Sequence, residues 1–356
     1  MPRPLSLAEH TLFAELYERS LDAVFDEQFP ENGSFVTRIA KTREGVERRY
    51  FYYVGYRSGT EGEIKSKRYS HYVGPADDPE IAARVLRFKE IKAARKESSS
   101  IVSSLGGAGL PRPPAIMGRI LEALARAGVF RMRAVLVGTA AYQTYPAVLG
   151  YRLSQTAAMT GDIDIAQFPS ISVAVDDKTP PMLEILRGVD ASFRAVPHLN
   201  DPVASAAFAN AAGFRLDLIA AHRGSDDDMG KPVRMPALDG ASAEPLRFMD
   251  FLIHKAVRSV VLYGAGIAVN VPAPERFAIH KMIISTRRRA DVAGQAKARK
   301  DVVQASEIIE ALAASGQSDA LRAALSEAQE RGPAWREGIR VGASRMSEAA
   351  RAALLG

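Results

Sequence analysis

Thr160-Gly-Asp-Ile-Asp-Ile-Ala166, taken with Ala134-Val-Leu-Val-Gly-Thr-Ala140 upstream of it, decides the fold of this chain. Side chains alternate faces along a strand, so Asp162 and Asp164 point one way and Ile163 and Ile165 the other, into a core. Two carboxylates on one face are hard oxygen donors suited to Mg²⁺, with Mn²⁺ as a substitute. Magnesium keeps several waters and is usually bound through one or two carboxylates plus the phosphates of a substrate, so the pair points to a nucleotide more than to a structural ion. Phe214-Arg-Leu-Asp-Leu-Ile219 reads as another strand, with Leu216 and Leu218 on one face and Asp217 on the other. If the two strands pair, three acidic groups converge. Two would bridge metal ions, and Asp217 could ligate one of them and take the proton from an attacking hydroxyl. The competing reading is a solvated turn, since Asp is common near strand ends.

The turn Gly138-Thr139-Ala140 follows an apolar strand and opens a helix. Its backbone N–H groups and the helix N-terminus can hold the terminal phosphates of a nucleotide, Gly138 permitting close approach and Thr139 adding a hydroxyl. Alone, such a junction is also ordinary structural punctuation.

Bulk properties set the frame. A chain of 356 residues, 47% hydrophobic and 25% charged, is an ordinary globular protein long enough for two or three domains. The absence of cysteine removes disulfides, thiolate zinc sites and thiol nucleophiles. No uncharged apolar run approaches the roughly 20 residues that span a bilayer, so no membrane association is expected and the cytoplasm is the expected compartment. The net charge of +6 is uneven. Arg84, Arg87, Lys89, Lys92, Arg95 and Lys96 share one predicted helix, and Arg287-Arg288-Arg289, Lys297, Arg299 and Lys300 crowd another region. Both clusters could meet nucleic-acid phosphates or simply solvate helix faces.

The spacing of Leu12, Leu16, Leu21, Val24 and Phe25 predicts an opening helix within residues 5–29. Aromatic and β-branched runs predict strands at Phe35–Ala40, Arg49–Tyr56 and Lys67–Gly74, the last two joined as a hairpin, and a basic helix over about 78–97. Ser98–Ser100, Gly106–Gly109 and Pro111–Pro114 mark a domain boundary. Beyond it come a helix at 116–127, a strand at 133–137, then strands at 162–166, 171–175, 193–196, 204–209 and 215–220 with a helix at 181–188. From Pro274 onward the pattern is helical, with Ala-rich segments at 301–314, 319–330 and 344–355.

An apolar strand, a Gly-Thr turn, Asp-x-Asp and a third acidic strand, in this order, resemble the DNA polymerase β-like nucleotidyltransferase superfamily. More narrowly, Gly138-Thr-Ala-Ala-Tyr-Gln-Thr-Tyr145, Leu149-Gly-Tyr-Arg-Leu153 and Thr160–Ala166 are similar to an uncharacterised bacterial nucleotidyltransferase-fold group related to AbiEii-type toxins. Two departures stand out: Thr139 replaces the usual Ser or Gly, and about 22 residues separate Thr139 from Asp162 where the pattern allows roughly a dozen. A longer helix or an extra loop is expected to absorb them. The resemblance spans about residues 110–310 and implies an α+β fold. Its parts would be a small N-terminal helix and β-hairpin domain (1–100) for an acceptor or partner, a core with a mixed sheet (110–270), and a helical part (271–356) completing the nucleotide site.

It further implies a Mg²⁺-dependent transfer of NMP from an NTP to a hydroxyl, on RNA such as a tRNA 3′ end or on a protein, in a toxin-like or stress role with an antitoxin as partner. By similarity Asp162, Asp164 and Asp217 are the catalytic and metal-binding set. Gly138 and Thr139 seat the phosphates, Lys281 neutralises the triphosphate and Asp301 orders the site. Arg152 is a further candidate for phosphate. Different in class is a nucleotide-binding module without catalysis, or nucleic-acid binding alone. The six histidines show no metal-ligand spacing, and Asp226-Asp-Asp228 lacks the rest of a calcium loop. His280 is expected to pack rather than ligate. The tyrosines from Tyr50 to Tyr72 could stack on bases or form cross-strand pairs.

Overall fold

The computed structural model describes residues 2–22, 33–41, 47–57, 67–158, 160–169, 179–201, 204–221 and 230–355. The chain divides into two compact units, residues 21–100 and residues 1–20 with 101–356.

The chain begins with a short strand, β1 (Arg3–Pro4), and the helix α1 (Leu7–Asp22). A reciprocal cap starts the helix: the Glu9 carboxylate accepts from the Ser6 amide at 2.7 Å while the Ser6 hydroxyl accepts from the Glu9 amide at 3.3 Å. The 21–100 unit holds an antiparallel sheet of β2 (Ser34–Lys41), β3 (Glu47–Arg57) and β4 (Lys67–Pro75), in that order, followed by α2 (Pro79–Gly107). Phe35, Tyr53 and Phe88 of α2 meet edge to face at 4.9–6.1 Å, so Tyr53 is a core residue rather than a base-stacking one. Arg38 lies over the Tyr52 ring at 4.7 Å. α2 runs unbroken through Ser98–Ser100, where the expected boundary and the division between the two units both fall, and Ser98 and Ser99 bond back to the carbonyls of Ala94 and Arg95 within the helix.

The larger unit continues with α3 (Ala115–Arg126), whose Met117, Ile120, Leu121 and Leu124 form a buried stripe. Then come β5 (Val135–Val137), α4 (Gly138–Tyr142), α5 (Tyr145–Leu149), β6 (Tyr151–Arg152), β7 (Asp162–Gln167), α6 (Met182–Arg187), β8 (Arg194–Val196), β9 (Ala207–Ala209) and β10 (Arg215–Ala221). They are followed by β11 (Val233–Met235), β12 (Ala241–Leu246), α7 (Met249–Ile253) and the hairpin β13 (Val257–Val261) and β14 (Ile267–Val271). The chain closes with α8 (Pro274–Ser285), α9 (Val292–Ala314), α10 (Ser318–Glu330), α11 (Pro333–Ser344) and α12 (Glu348–Leu355).

The main sheet is mixed, in the order β11-β12-β10-β7-β5. β7 and β12 run parallel to β10, while β5 is antiparallel to β7 and β9 to β10. The fold is thus mixed α and β around a mixed sheet. Ile163, Ile165, Leu216 and Leu218 are fully buried, as the alternation along both strands requires. α8 is buried nearly all round, which is the signature of a central helix. The strand expected at 171–175 lies outside the described residues. Among the described residues, no helix is long and apolar enough to cross a membrane.

Candidate active site

The site starts at the end of β5. Val137 is extended, and Gly138 then turns the chain at φ +64°, a conformation L side chains rarely adopt. A Cβ on Gly138 would also lie 2.3 Å from Oδ2 of Asp164, so the missing side chain makes room for that carboxylate. The turn does not open one long helix. α4 and α5 have five residues each, and α5 stops at Gly150 in the left-handed region before β6 pairs with β1. These elements, with the turn leading into β7, fill the long stretch between Thr139 and Asp162.

Strand register assembles the acidic residues. β7 and β10 pair so that Asp164 lies opposite Asp217 and Asp162 opposite Arg215. The carboxyl of Asp164 is pushed up to about 6, first by burial and then by the negative charges of Asp162 and Asp217, while Lys281 and Lys297 pull it down. Burial raises Asp217 as well, against the pull of Arg215, whose Nε donates to both carboxylate oxygens at 2.8 and 2.9 Å. Asp162 accepts from the Thr160 hydroxyl.

Among the described residues no three His, Cys, Asp or Glu side chains are already drawn into a metal cage, since Asp217 is turned to Arg215 and Asp162 to Thr160. As a donor set, however, three carboxylates that oppose each other's charge fit a hard divalent cation, and they are the residues that could hold Mg²⁺ or Mn²⁺.

Helices α8 and α9 bring the positive charge. Lys281, buried on α8, donates to Asp301 at 2.7 Å, and Arg288 donates to the other oxygen of Asp301 at 2.7 Å. Burial alone would raise the carboxyl of Asp301, but these two cations hold it below the usual range. Lys300 is lowered by burial and by Lys281, with Asp162 and Asp301 opposing. Gln304, fully buried, donates to Ala157 O at 2.7 Å and reaches the Thr139 hydroxyl at 3.5 Å, tying α9 to the glycine turn. The sequence alone gives Gln304 no role and Lys297 only a place in a basic patch, while Lys300 precedes Asp301 in the Lys-Asp pair that the family resemblance carries. Their spacing with Asp301 along one helix face was the signal that could have found them.

Arg152 is not brought into this cluster. Its guanidinium donates to Ala108 O at 2.7 Å and to Glu9 at 2.5 Å. His280 is buried with both ring nitrogens unpartnered and is lowered to about 3, first by burial and then by Lys281. Asp226–Asp228 and His222 lie outside the described residues.

A cleft of about 670 Å³ opens beside Asp164 and Asp217, with Val196, Leu199, Leu246 and Glu244 among its walls. His198 orients Glu244 there. The Asn200 amide donates to Nδ1 at 3.1 Å, so Nε2 carries the proton and donates to the Glu244 carboxylate at 2.7 Å.

A glycine turn, three carboxylates on neighbouring strands and a lysine-bearing helix pair are the arrangement of a phosphate-handling transferase. A family model described as nucleotidyltransferase matches residues 115–330, from the start of α3 to the end of α10, and the chain belongs to that family. Its general chemistry is therefore nucleoside monophosphate transfer. No curated protein and no solved structure matches the chain.

Proposed function

We propose that this nucleotidyltransferase uses Mg²⁺ to move a nucleoside monophosphate from an NTP to a hydroxyl at the end of an RNA, releasing pyrophosphate, on a polymerase β-like core. The observation that carries this reading is the register of Asp164 against Asp217, with Asp162, Lys281 and Lys297 in the same electrostatic field. Asp162, Asp164 and Asp217 hold the metal, which when bound neutralises phosphate charge and activates the attacking oxygen. Gly138 and Thr139 offer the phosphates the backbone N–H groups of the turn and the Thr139 hydroxyl. Lys281, held by Asp301, and Lys300 on α9 offset the triphosphate charge. Asp217 accepts the proton of the acceptor hydroxyl. The acceptor oxygen bonds to the α-phosphorus as the bond to the bridging oxygen breaks, and that electron pair leaves with pyrophosphate. An RNA acceptor is supported by the basic patches, and by the resemblance to toxin-type enzymes, which also carries a toxin-like or stress role and an antitoxin partner.

The test is incubation of the purified protein with each NTP radiolabelled at the α-phosphate, Mg²⁺, and total RNA or cell lysate, beside an Asp162→Ala/Asp164→Ala variant. Label on RNA with the wild type alone is the expected result. Label on protein instead would replace the acceptor. No label with any NTP while nucleotide still binds would leave a binding module.

A further inference from the structure

The strands arrange the site in a line. Gly138 follows β5, Asp162 and Asp164 lie on β7, Asp217 lies on β10, and the cleft extends from Asp164 and Asp217, walled by β8, β9 and β12. The phosphate-directed groups, Gly138, Thr139, Lys281 and Gln304, lie along the β5 and α8–α9 flank of Asp164. The cleft takes in Asp164 and Asp217 and extends along the other flank, with Arg289 of the α8–α9 connection also reaching it. Register carries the same sheet face onward: Ile219 follows Asp217 by two residues, and Ile219 lies opposite Glu244. From the Cα of Asp217 to that of Glu244 the span is roughly 8 Å by strand geometry, the scale of one nucleoside from ribose hydroxyl to base edge.

We infer that this cleft seats the terminal nucleotide of the acceptor RNA and that Glu244 reads its base; the inference rests on the transferase reading above. The cleft has the size of a small-ligand site, about 670 Å³, and apolar walls at Val196, Leu199 and Leu246 for a base. Arg215 and Arg289 line it and suit the backbone phosphates. Arg215 uses Nε on Asp217 and keeps its terminal NH₂ groups, and Arg289 is exposed. Glu244 is the discriminating group. Bonded to His198 through one oxygen, it presents the other as a pure acceptor. A carboxylate accepts from the exocyclic amine of cytosine, whereas uracil presents a carbonyl oxygen at the same edge position and meets it lone pair to lone pair. A terminal cytidine is therefore favoured over a terminal uridine. Glu244→Gln keeps its amide oxygen on the His198 Nε2–H and turns its NH₂ to the base, so the preference for cytidine is lost and uridine is favoured.

The experiment is fluorescence anisotropy of short 5′-labelled oligoribonucleotides, identical except for a 3′-terminal C or U, titrated with the full chain as wild type, Glu244→Gln and Arg289→Ala. The wild type is expected to bind the C-ended strand roughly tenfold more tightly. Glu244→Gln should abolish the cytidine preference or reverse it toward uridine while circular dichroism stays unchanged. Arg289→Ala should weaken both equally and flatten the salt dependence. Equal affinities with the wild type, a preference that survives Glu244→Gln, or no RNA binding at all would each overturn the inference. A C preference without label transfer from any NTP would keep the cleft assignment and sink the transferase reading instead, whereas label transfer to protein without RNA binding would do the reverse.

Discussion

The carboxylate of Asp164 occupies the place where a side chain on Gly138 would begin, with Oδ2 2.3 Å from the position of that Cβ. The glycine also holds φ at +64°. Gly138→Ala therefore meets two penalties at once: left-handed backbone strain of about 1–2 kcal/mol and displacement of Asp164. NMP transfer is expected to fall by at least about a hundredfold, with only a few degrees lost from Tm. Transfer rate and thermal melting together check this. A variant that melts normally and keeps full activity would show that Asp164 need not lie against the turn.

Asp164 itself opposes stability in the metal-free protein. Its folded value, about 6, exceeds the unfolded one near 3.8. For an acid raised on folding, the folded state binds more protons between those values, so stability is lost as pH rises through about 6. Asp164→Asn is expected to melt higher than the wild type at pH 8, by an amount on the order of 2 kcal/mol, with the gap closing below about pH 4. Activity should vanish. Mg²⁺ should raise the melting temperature of the wild type and leave the variant unmoved. A variant that melts lower at pH 8 would contradict the mutual repulsion of Asp162, Asp164 and Asp217.

The acidic triplet was legible because its physics is local. Alternation of Asp162, Ile163, Asp164 and Ile165 declares a strand with one polar face, and Leu216 and Leu218 do the same for Asp217. That the two strands pair in register is nonlocal, and the structure supplies it. β12 was not legible: Ala241-Ser-Ala-Glu-Pro-Leu246 has weak strand propensity and contains a proline. Pro245 is tolerated because β11 pairs only with Ala241–Ala243 and needs no N–H from position 245. With β12 went Glu244, and hence the cleft. The hairpin of Val257–Val261 and Ile267–Val271 did carry an alternating signal around Gly264 and Gly266 that went unread. Arg152 looked available only because its partners, Glu9 and Ala108, lie far away in sequence.

The Lys281–Asp301 pair separates structural from functional roles. Both residues are buried, and Asp301 also takes Arg288, so Asp301→Ala strands a buried lysine and is expected to cost about 3–5 kcal/mol. The double change Lys281→Met/Asp301→Leu removes both buried charges and should recover most of that loss in urea denaturation. Activity should stay down in the double variant, because the cation facing the phosphates is gone. If restored stability brought restored transfer, Lys281 would be only a packing partner of Asp301.

His280 provides a pH signature of the fold. It sits fully inside α8 with neither ring nitrogen partnered, and burial followed by the charge of Lys281 lowers it to about 3. The unfolded chain takes up a proton on this side chain near pH 6.5 while the folded chain refuses it until about pH 3. Between those values the unfolded state binds more protons, so this residue makes stability fall as pH drops, by about 1.4 kcal/mol per unit, and contributes no slope above pH 7. Asp164 titrates in the same range with the opposite sign. The informative quantity is thus the difference between the wild type and His280→Leu, which fills similar apolar space and has no proton to gain. At pH 7.5 the variant should be as stable as the wild type or more so, since no hydrogen bond is lost. At pH 5 it should be the more stable by about 2 kcal/mol in chemical denaturation. A difference that stays constant from pH 7.5 to 5 would mean that His280 is protonated within the fold, through a partner that α8 and α9 do not provide here.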